Sequence, residues 1–569
     1  MSIKLLVILL ALPATVLFAQ PAQRYEVLIT ELMPDPTPPV GLPNHEFIEL
    51  TNVSARIINL KGWKLSDGAA TATINQAIDL QSGARLIVCP NSAVMQFEPL
   101  GPVAGVSNFP SLNNDADVIS LYAPDGSTVH TVAYTDAWYQ NSIKIGGGWS
   151  LEMIDLSNPC GNNNWKAAIH ASGGTPGAVN SVQASNPDEM PPALINTYSP
   201  DSLTVVAIFD ESLDSLVAAQ PVHYQLDGGK GQPVAARPQP PLFREVVLEW
   251  ATPLPATQVL GLTVKDLTDC SSNTIGMMNH ASVGLPQAVA AGDVVINELL
   301  FNPPPDGADY IELYNRSRKI IDCKQLYIAN RSATGKFTNV QQLTSNPHQL
   351  YPGEYRVLTE NASWLLQHYP NAIGTTLQPS SIPSLPDDRG VIVVMDQQEV
   401  VIDELHYDKN WHSPLLGNEE GVALERIDYS KPGQHAQNWM SAAATAGFGT
   451  PGLRNSQFRA DLQAKGAITV SPAVFSPDND GIDDYVTVQY QAAEPGCTGN
   501  IILFTANGVP VRHLARNALL GREGTFRWDG MDNNRRQLPL GTYIMYTEIF
   551  DGQGKTKKFR NTVTLARRL

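Results

Sequence analysis

Four aspartates crowd one short stretch near the C-terminal end of this 569-residue chain: Asp478, Asp480, Asp483 and Asp484, within Phe475-Ser-Pro-Asp-Asn-Asp-Gly-Ile-Asp-Asp484. Alternate carboxylates on a loop turned by glycine suit Ca²⁺, a hard cation that takes six to eight oxygens. The expected ligands are Asp478, Asp480 and either Asp483 or Asp484, with the Ile482 carbonyl beside them. The loop is not a complete EF-hand, because the distal glutamate is absent. Aspartates in such a loop also bond their own backbone as Asx turns. Calcium site and self-bonded turn are equally compatible with the residues.

A second set of carboxylates is dispersed but recurs: Glu31, Glu49 and Glu152 reappear in matching contexts as Glu298, Glu312 and Glu425. Three recurring carboxylates could make a metal or acid/base cluster. An active carboxylate needs a pocket and paired donors, however, and the sequence shows neither. The favoured role is to accept hydrogen bonds from loop backbone and fix strand ends. His406 and His412 flank Trp411, but the corresponding first-copy segment around Val132, Ala133 and Gln140 has no matching ligands, which argues against a two-histidine metal site. No Gly-x-Ser-x-Gly, His-Glu-x-x-His or Gly-x-x-x-x-Gly-Lys-Ser/Thr pattern occurs. No catalytic residue and no organic cofactor is therefore expected, and Ca²⁺ is the one cofactor the residues suggest.

The elements that must position these groups are strands. Gly and Pro number 43 each, enough for many turns between short strands. Val118-Ile-Ser-Leu-Tyr122, Thr204-Val-Val-Ala-Ile208, Val391-Ile-Val-Val394 and Tyr485-Val-Thr-Val488 alternate or are β-branched and read as strands. No later segment has the period of an amphipathic helix. The fold class is therefore all-β, in three to five domains at ~100–200 residues each.

Residues 1–19 have the form of a signal peptide: Lys4, an apolar run from Leu5 to Leu12, and small Ala19 at a possible cut, with Leu17 a poor residue before it. No cysteine follows the run, so lipid anchoring has no support, and the run is too short to span a membrane. The expected location is extracellular or on the outer cell surface. The net charge of −17 opposes nucleic acid as the main partner. The basic end (Lys555, Lys557, Lys558, Arg560, Arg567, Arg568) reads as a solvated strand, with targeting as the sharper alternative. Of the cysteines Cys89, Cys160, Cys270, Cys323 and Cys497, none forms a CxxC. Cys89 and Cys160 share one module and could pair, but buried free thiols are the favoured state.

An internal duplication organises the chain. Ile29-Thr-Glu-Leu32 and Glu46-Phe-Ile-Glu-Leu-Thr-Asn52 return as Ile296-Asn-Glu-Leu299 and Asp309-Tyr-Ile-Glu-Leu-Tyr-Asn315. Leu112, Ile119, Tyr134, Trp138 and Glu152 match Leu385, Ile392, Tyr407, Trp411 and Glu425 at a constant offset of 273. Asn164-Trp165 parallels Asn438-Trp439, and each copy closes on Gly-Thr-Pro-Gly followed by Asn-Ser. Trp138, Trp165, Trp411 and Trp439 are expected core or corner aromatics.

Residues 24–181 and 292–456 on these motifs resemble the lamin-tail domain, an immunoglobulin-like β-sandwich. Residues 188–286 resemble a bacterial immunoglobulin-like spacer through Phe209-Asp-Glu211 and an Asp-x-x-Asp-x-x-x-Asn run ending at Asn273. Residues 464–569 resemble the FlgD-like immunoglobulin fold and the C-terminal domains of type IX secretion substrates, through the Phe-Ser-Pro opening, Trp528-Asp-Gly530 and Pro539-Leu-Gly-Thr-Tyr543. Trp528 and Tyr543 should be core, and Gly530 and Gly541 turn positions. The resemblances imply tandem immunoglobulin-like β-sandwiches in a secreted or cell-surface, non-catalytic protein for adhesion, scaffolding or extracellular binding. Its partners would be an extracellular protein or polysaccharide, with the outer membrane or secretion machinery at the C-terminal end. The alternative is an accessory part of an extracellular hydrolase or nuclease, or such an enzyme itself.

Overall fold

The computed structural model describes residues 22–161, 163–374, 377–379, 381–459 and 466–567. The proposed signal peptide and Arg568 lie outside them. The described chain is all-β, and its helices are a few short turns. No helix among the described residues is long and apolar enough to cross a membrane. The chain forms two compact units, one comprising residues up to Pro253 with Leu260–Ser282, the other Leu254–Val259 with Val283 onward.

In the first unit, a six-stranded sheet runs in the order Trp165–Ala167, Leu151–Met153, Val27–Met33, Phe47–Asn52, Arg85–Pro90, Val103–Val106. A four-stranded sheet of Thr128–Thr135, Ala116–Tyr122, Lys64–Ser66 and Thr71–Thr73 lies against it. Alternation sends Ile48 and Leu50 into the core between the sheets, with Trp63, Ile119 and Tyr134. It sends Phe47 and Glu49 to the outer face. That face is also covered: Met33, Phe47, Ile87, Cys89 and Phe97 form a second apolar cluster on it. Hence Val27–Met33 and Phe47–Asn52 are buried at every position.

In the second unit the order repeats: Leu377–Pro379, Tyr355–Thr359, Tyr310–Asn315, Val294–Leu300, Leu424–Arg426, Trp439–Ser441, against Phe337–Gln342, Leu326–Arg331, Arg389–Asp396 and Val401–Asp408. The duplicated motifs therefore fold into duplicated topology. Tyr134 donates to the Asn113 carbonyl at 2.7 Å, and Tyr407 to the Pro386 carbonyl at 2.9 Å. Trp138 packs on Trp165 and Trp411 on Trp439, with ring centroids 5.9 and 6.5 Å apart. Both chains also bulge at the same place, between Ile29 and Glu31 and between Ile296 and Glu298. The amide beside the bulge is taken by His130 Nδ1 in one copy and by Asp403 Oδ2 in the other.

The rest of the first unit contains Leu194–Tyr198, Thr204–Phe209, Glu245–Glu249 and Ala235–Pro238 as one sheet, with Tyr224–Leu226 paired to Leu260–Val264. The C-terminal part of the second unit has a three-stranded and a five-stranded sheet around Phe475, Trp528 and Tyr543. Gly530 and Gly541 both have positive φ, so these two positions favour glycine. Lys557, Lys558 and Arg560 lie exposed on the Thr556–Leu565 strand.

The cysteines do not pair within one module. Cys160 bonds Cys270, 110 residues away, with Cα atoms 6.3 Å apart, while Cys89, Cys323 and Cys497 are buried and free. Cys89 lies in the outer apolar cluster of its sheet, among Met33, Phe47, Ile87 and Phe97, and has no thiol to meet. The disulfide ties the first sandwich to the strands that follow it. Cleavage in the connection at residues 183–192 should leave two fragments that migrate together on a non-reducing gel and separate after reduction. Separation without reductant would overturn the Cys160–Cys270 pairing.

Candidate functional site

The recurring glutamates sit side by side on adjacent strands. Glu152 and Glu49 are the register partners of Glu31 on either side, and Glu425 and Glu312 those of Glu298. All six are fully buried. Each row lies mid-sheet, on the outer face, beneath the closing Thr-Pro-Gly segment. In the first copy Glu31 Oε1 accepts from Thr175 N–H at 2.8 Å and Ser150 Oγ at 2.6 Å. Glu49 accepts from Gly177 N–H at 2.7 Å, Thr30 Oγ1 and Arg85. Glu152 accepts from Thr175 Oγ1, Ser181 Oγ and Val182 N–H. The strap is thus pinned at four successive points by three carboxylates, and Asn180 bridges two strands by donating to the Thr30 and Met153 carbonyls.

The second copy reproduces the pattern. Thr450 N–H donates to Glu298, Gly452 N–H to Glu312, and Ser456 Oγ and Gln457 N–H to Glu425. Asn455 Nδ2 donates to the Asn297 and Arg426 carbonyls. The donors therefore show what the carboxylates are for: they accept from loop backbone, as their types and contexts suggested.

The copies differ in charge. Arg85 pairs with Glu49 at 2.7 Å, whereas the register position across from Tyr314 is Tyr355 in the second copy. There Glu312 has neutral Asn297 and Glu298 has neutral Tyr310 at 2.9 Å. Burial, then repulsion from Glu425, pushes Glu298 up to about 8. Burial and Glu298 hold Glu312 well above its usual range, and burial raises Glu425. Geometry agrees. Thr450 Oγ1 lies 2.9 Å from both Glu298 Oε2 and Glu425 Oε1 but has a single proton to give. The other short contact is satisfied when that carboxyl carries a proton. In the first copy burial, then Glu49 and Glu152, holds Glu31 well above its usual range.

Oxygens of Asp478, Asp480 and Asp484 converge within 4.8 Å of one another, and Asp483 lies outside the group. The same carboxylates accept from the loop itself: Asp484 from Asn479 and Gly481 N–H, Asp480 from Ile482 N–H. Asp483 instead turns the chain at positive φ and gives its carbonyl to Ser476 N–H. His406 and His412 do not converge. His406 is exposed against Glu404, and His412 is buried with its Nδ1 2.9 Å from Ser441 Oγ. Successive exposed and buried environments separate them.

Two features were not read as sites from the sequence. Oxygens of Asp188, Glu211 and Asp269 also converge within 4.8 Å. Glu211 and Asp269 belong to the two short motifs of the spacer resemblance, but Asp188 comes from the connection before it. The other feature is a groove of about 860 Å³ in the second unit, lined by Trp411, His412, Leu415, Trp439, Phe550 and Asp551 among others. Its walls come from segments more than a hundred residues apart, so no local pattern announces it.

Residues 20–136 match the family model of the Lamin Tail Domain, and the first module is a lamin-tail-like immunoglobulin-type sandwich. No curated protein matches the chain in sequence. Among solved structures, the chain is similar to the N-terminal part of the bacterial S-layer protein SbsC, at 12% identity and TM-score 0.16 over 29% of this chain and 44% of that one. It is similar to a DUF4876 family protein from Bacteroides thetaiotaomicron, at 12% identity and TM-score 0.18 over 33% of this chain and 78% of that one. It is also similar to dimeric latent PorU from Porphyromonas gingivalis, at 8% identity and TM-score 0.15 over 71% of this chain and 35% of that one. At these scores the likenesses say nothing about what this chain does.

The pH dependence of the second copy follows from Glu298. Its folded-state value is raised from 4.5 to about 8, so the folded module keeps a proton that the unfolded chain releases. That stabilisation is complete below about 4.5 and is lost as pH rises through about 8. Denaturant unfolding, read by protection of peptides spanning Gly449–Gln457, should show stability falling from pH 5 to pH 9. Glu298→Gln should flatten the slope. An unchanged slope in that variant would exclude Glu298 as the proton holder.

Proposed function

We propose that this chain is a secreted or cell-surface modular protein, non-catalytic, that binds an extracellular polysaccharide or protein. The second sandwich is read as a second lamin-tail module, and the C-terminal part as a FlgD-like domain of the type IX secretion class. The Cys160–Cys270 disulfide supports an oxidising location. The buried carboxylates that might have served catalysis are occupied in closing the modules.

The observation that carries the reading is the groove. It combines Trp411, Leu415, Trp439 and Phe550 with polar side chains such as Asn410, Gln437 and Asn517, the mix of apolar surface and orienting groups that ligand sites use. Its titratable groups are held for structure. Asp551 Oδ1 accepts from Gln553 and Lys555 N–H. Burial lowers His412 to about 4, so its ring is neutral. Ser441 Oγ accepts from Ser413 N–H and lies 2.9 Å from His412 Nδ1, which holds the ring in place. Nε2 is buried with no partner among the described residues. Trp411 and Phe550 supply flat apolar contact along the groove.

Pull-down with the full chain from exopolysaccharide and outer-membrane fractions should recover a ligand. Trp411→Ala combined with Leu415→Ala should weaken recovery about tenfold, since truncating aromatic anchors costs ~1–2 kcal/mol or more. Failure to bind any surface polymer or protein would overturn the reading. Calcium at Asp478, Asp480 and Asp484 belongs to the same proposal. Millimolar Ca²⁺ should raise the melting temperature of the C-terminal domain, because a ligand of the folded state alone stabilises it. Asp480→Asn should remove that shift, and no shift in the unaltered chain would dispose of the site.

A further inference from the structure

We propose that Asp188, Glu211 and Asp269 hold a divalent cation of the calcium class, which fastens the connection between the first sandwich and the strands that follow it. One oxygen from each residue lies within 4.8 Å of the other two. Ca²⁺ binds oxygen at about 2.3–2.6 Å, so three such oxygens can share one ion. Glu211 is 5% exposed and Asp269 1% exposed. Among the described residues the Glu211 carboxylate accepts no hydrogen bond, and no ion pair joins a basic side chain to any of the three. Asp188 Oδ2 is buried with no partner.

The contrast with the glutamate rows is informative. There every carboxylate receives backbone or hydroxyl donors. Here Asp269 is served in that way, by Ser271 and Asn273 N–H on Oδ1 and Asn273 Nδ2 on Oδ2, while Asp188 has one backbone donor and Glu211 none among the described residues. Those donors fix its orientation without neutralising it. Asp188 is held by its carbonyl to Asn273 Nδ2 and by Met190 N–H on Oδ1, which leaves Oδ2 for another partner. Buried carboxylates without donors need a positive charge or a proton. Burial, then Asp188, Asp269 and Asp210, pushes Glu211 up to about 8 despite the opposing pull of Arg244. Burial also raises Asp269. A cation would relieve all of these terms together, with water or main-chain oxygens completing its shell.

The location states the purpose. Asp188 lies just after the strap residue Val182, and Asp269 precedes Cys270, which bonds Cys160 of the first sandwich. Cation and disulfide would thus fasten one loop from both sides.

The test uses the oxidised full-length chain and amide exchange of peptides covering residues 186–193 and 266–274, in EDTA and in about 1 mM CaCl₂, the range of extracellular calcium modules. Calcium should slow exchange there about tenfold in the unaltered chain and equally in Asp480→Asn, which tests the C-terminal loop. Glu211→Gln should lose that protection while matching or exceeding the unaltered chain in EDTA, because the substitution removes a repelling charge. Asp188→Asn, which keeps the shape of the side chain and an oxygen for Met190 N–H, should behave alike. The proposal falls if calcium protects neither peptide, if it protects Glu211→Gln and Asp188→Asn as well as the unaltered chain, if both variants lose stability equally with and without calcium, or if Asp480→Asn abolishes the effect.

Discussion

A carboxylate stripped of water must find donors, and in both sandwiches the Thr-Pro-Gly strap supplies them. Three strands bring three glutamates into one row on the outer face of the larger sheet. That face would otherwise present charge to an apolar cluster. The strap crosses it, gives up its amides and hydroxyls, and so converts three buried liabilities into the contact that seals the module. Remove the strap and the row loses its backbone donors; remove the row and the strap has nothing to hold. The bulge, the bridging asparagine and the buried central strands all serve that meeting.

The two copies solve the residual charge differently. In the first, Arg85 meets Glu49 directly. In the second, amide, phenol and hydroxyl groups surround the row, and protonation completes the balance. A duplicated topology has therefore diverged in electrostatics while keeping its hydrogen bonds. The side chains that changed are those that touch the row from the side. The glutamates, the threonine and the glycine amides beneath the strap stayed the same.

Much of this was readable from residues alone. Alternation and turn composition announced the strands, and the duplicated motifs marked the residues that turn out to form the clasp, the Tyr–carbonyl anchors and the tryptophan pairs. What escaped was long-range. Cys160 meets a cysteine 110 residues away, because loops of two successive sandwiches touch there. Asp188 joins Glu211 and Asp269 only when a connection folds back on a loop. The groove is assembled by the second sandwich and the C-terminal part. Between Asp483 and Asp484 the residues alone could not choose, because a residue in a tight aspartate turn can spend itself on the turn's backbone. Sequence neighbours report local geometry well, and say little about which distant loops will meet.

The strap also sets a timetable. Its bonds reach back 128 residues from Gly177 to Glu49 and 144 from Thr175 to Glu31, and the second copy spans 140 and 152. Contacts of such separation form late, after the loop-closure entropy has been met. A module whose last residues have not yet emerged from the ribosome carries a row of acids without the strap's amides, and those acids stay hydrated. The nascent chain is thereby kept from sealing until it is whole. A lock whose key is made last is a safeguard against closing too soon.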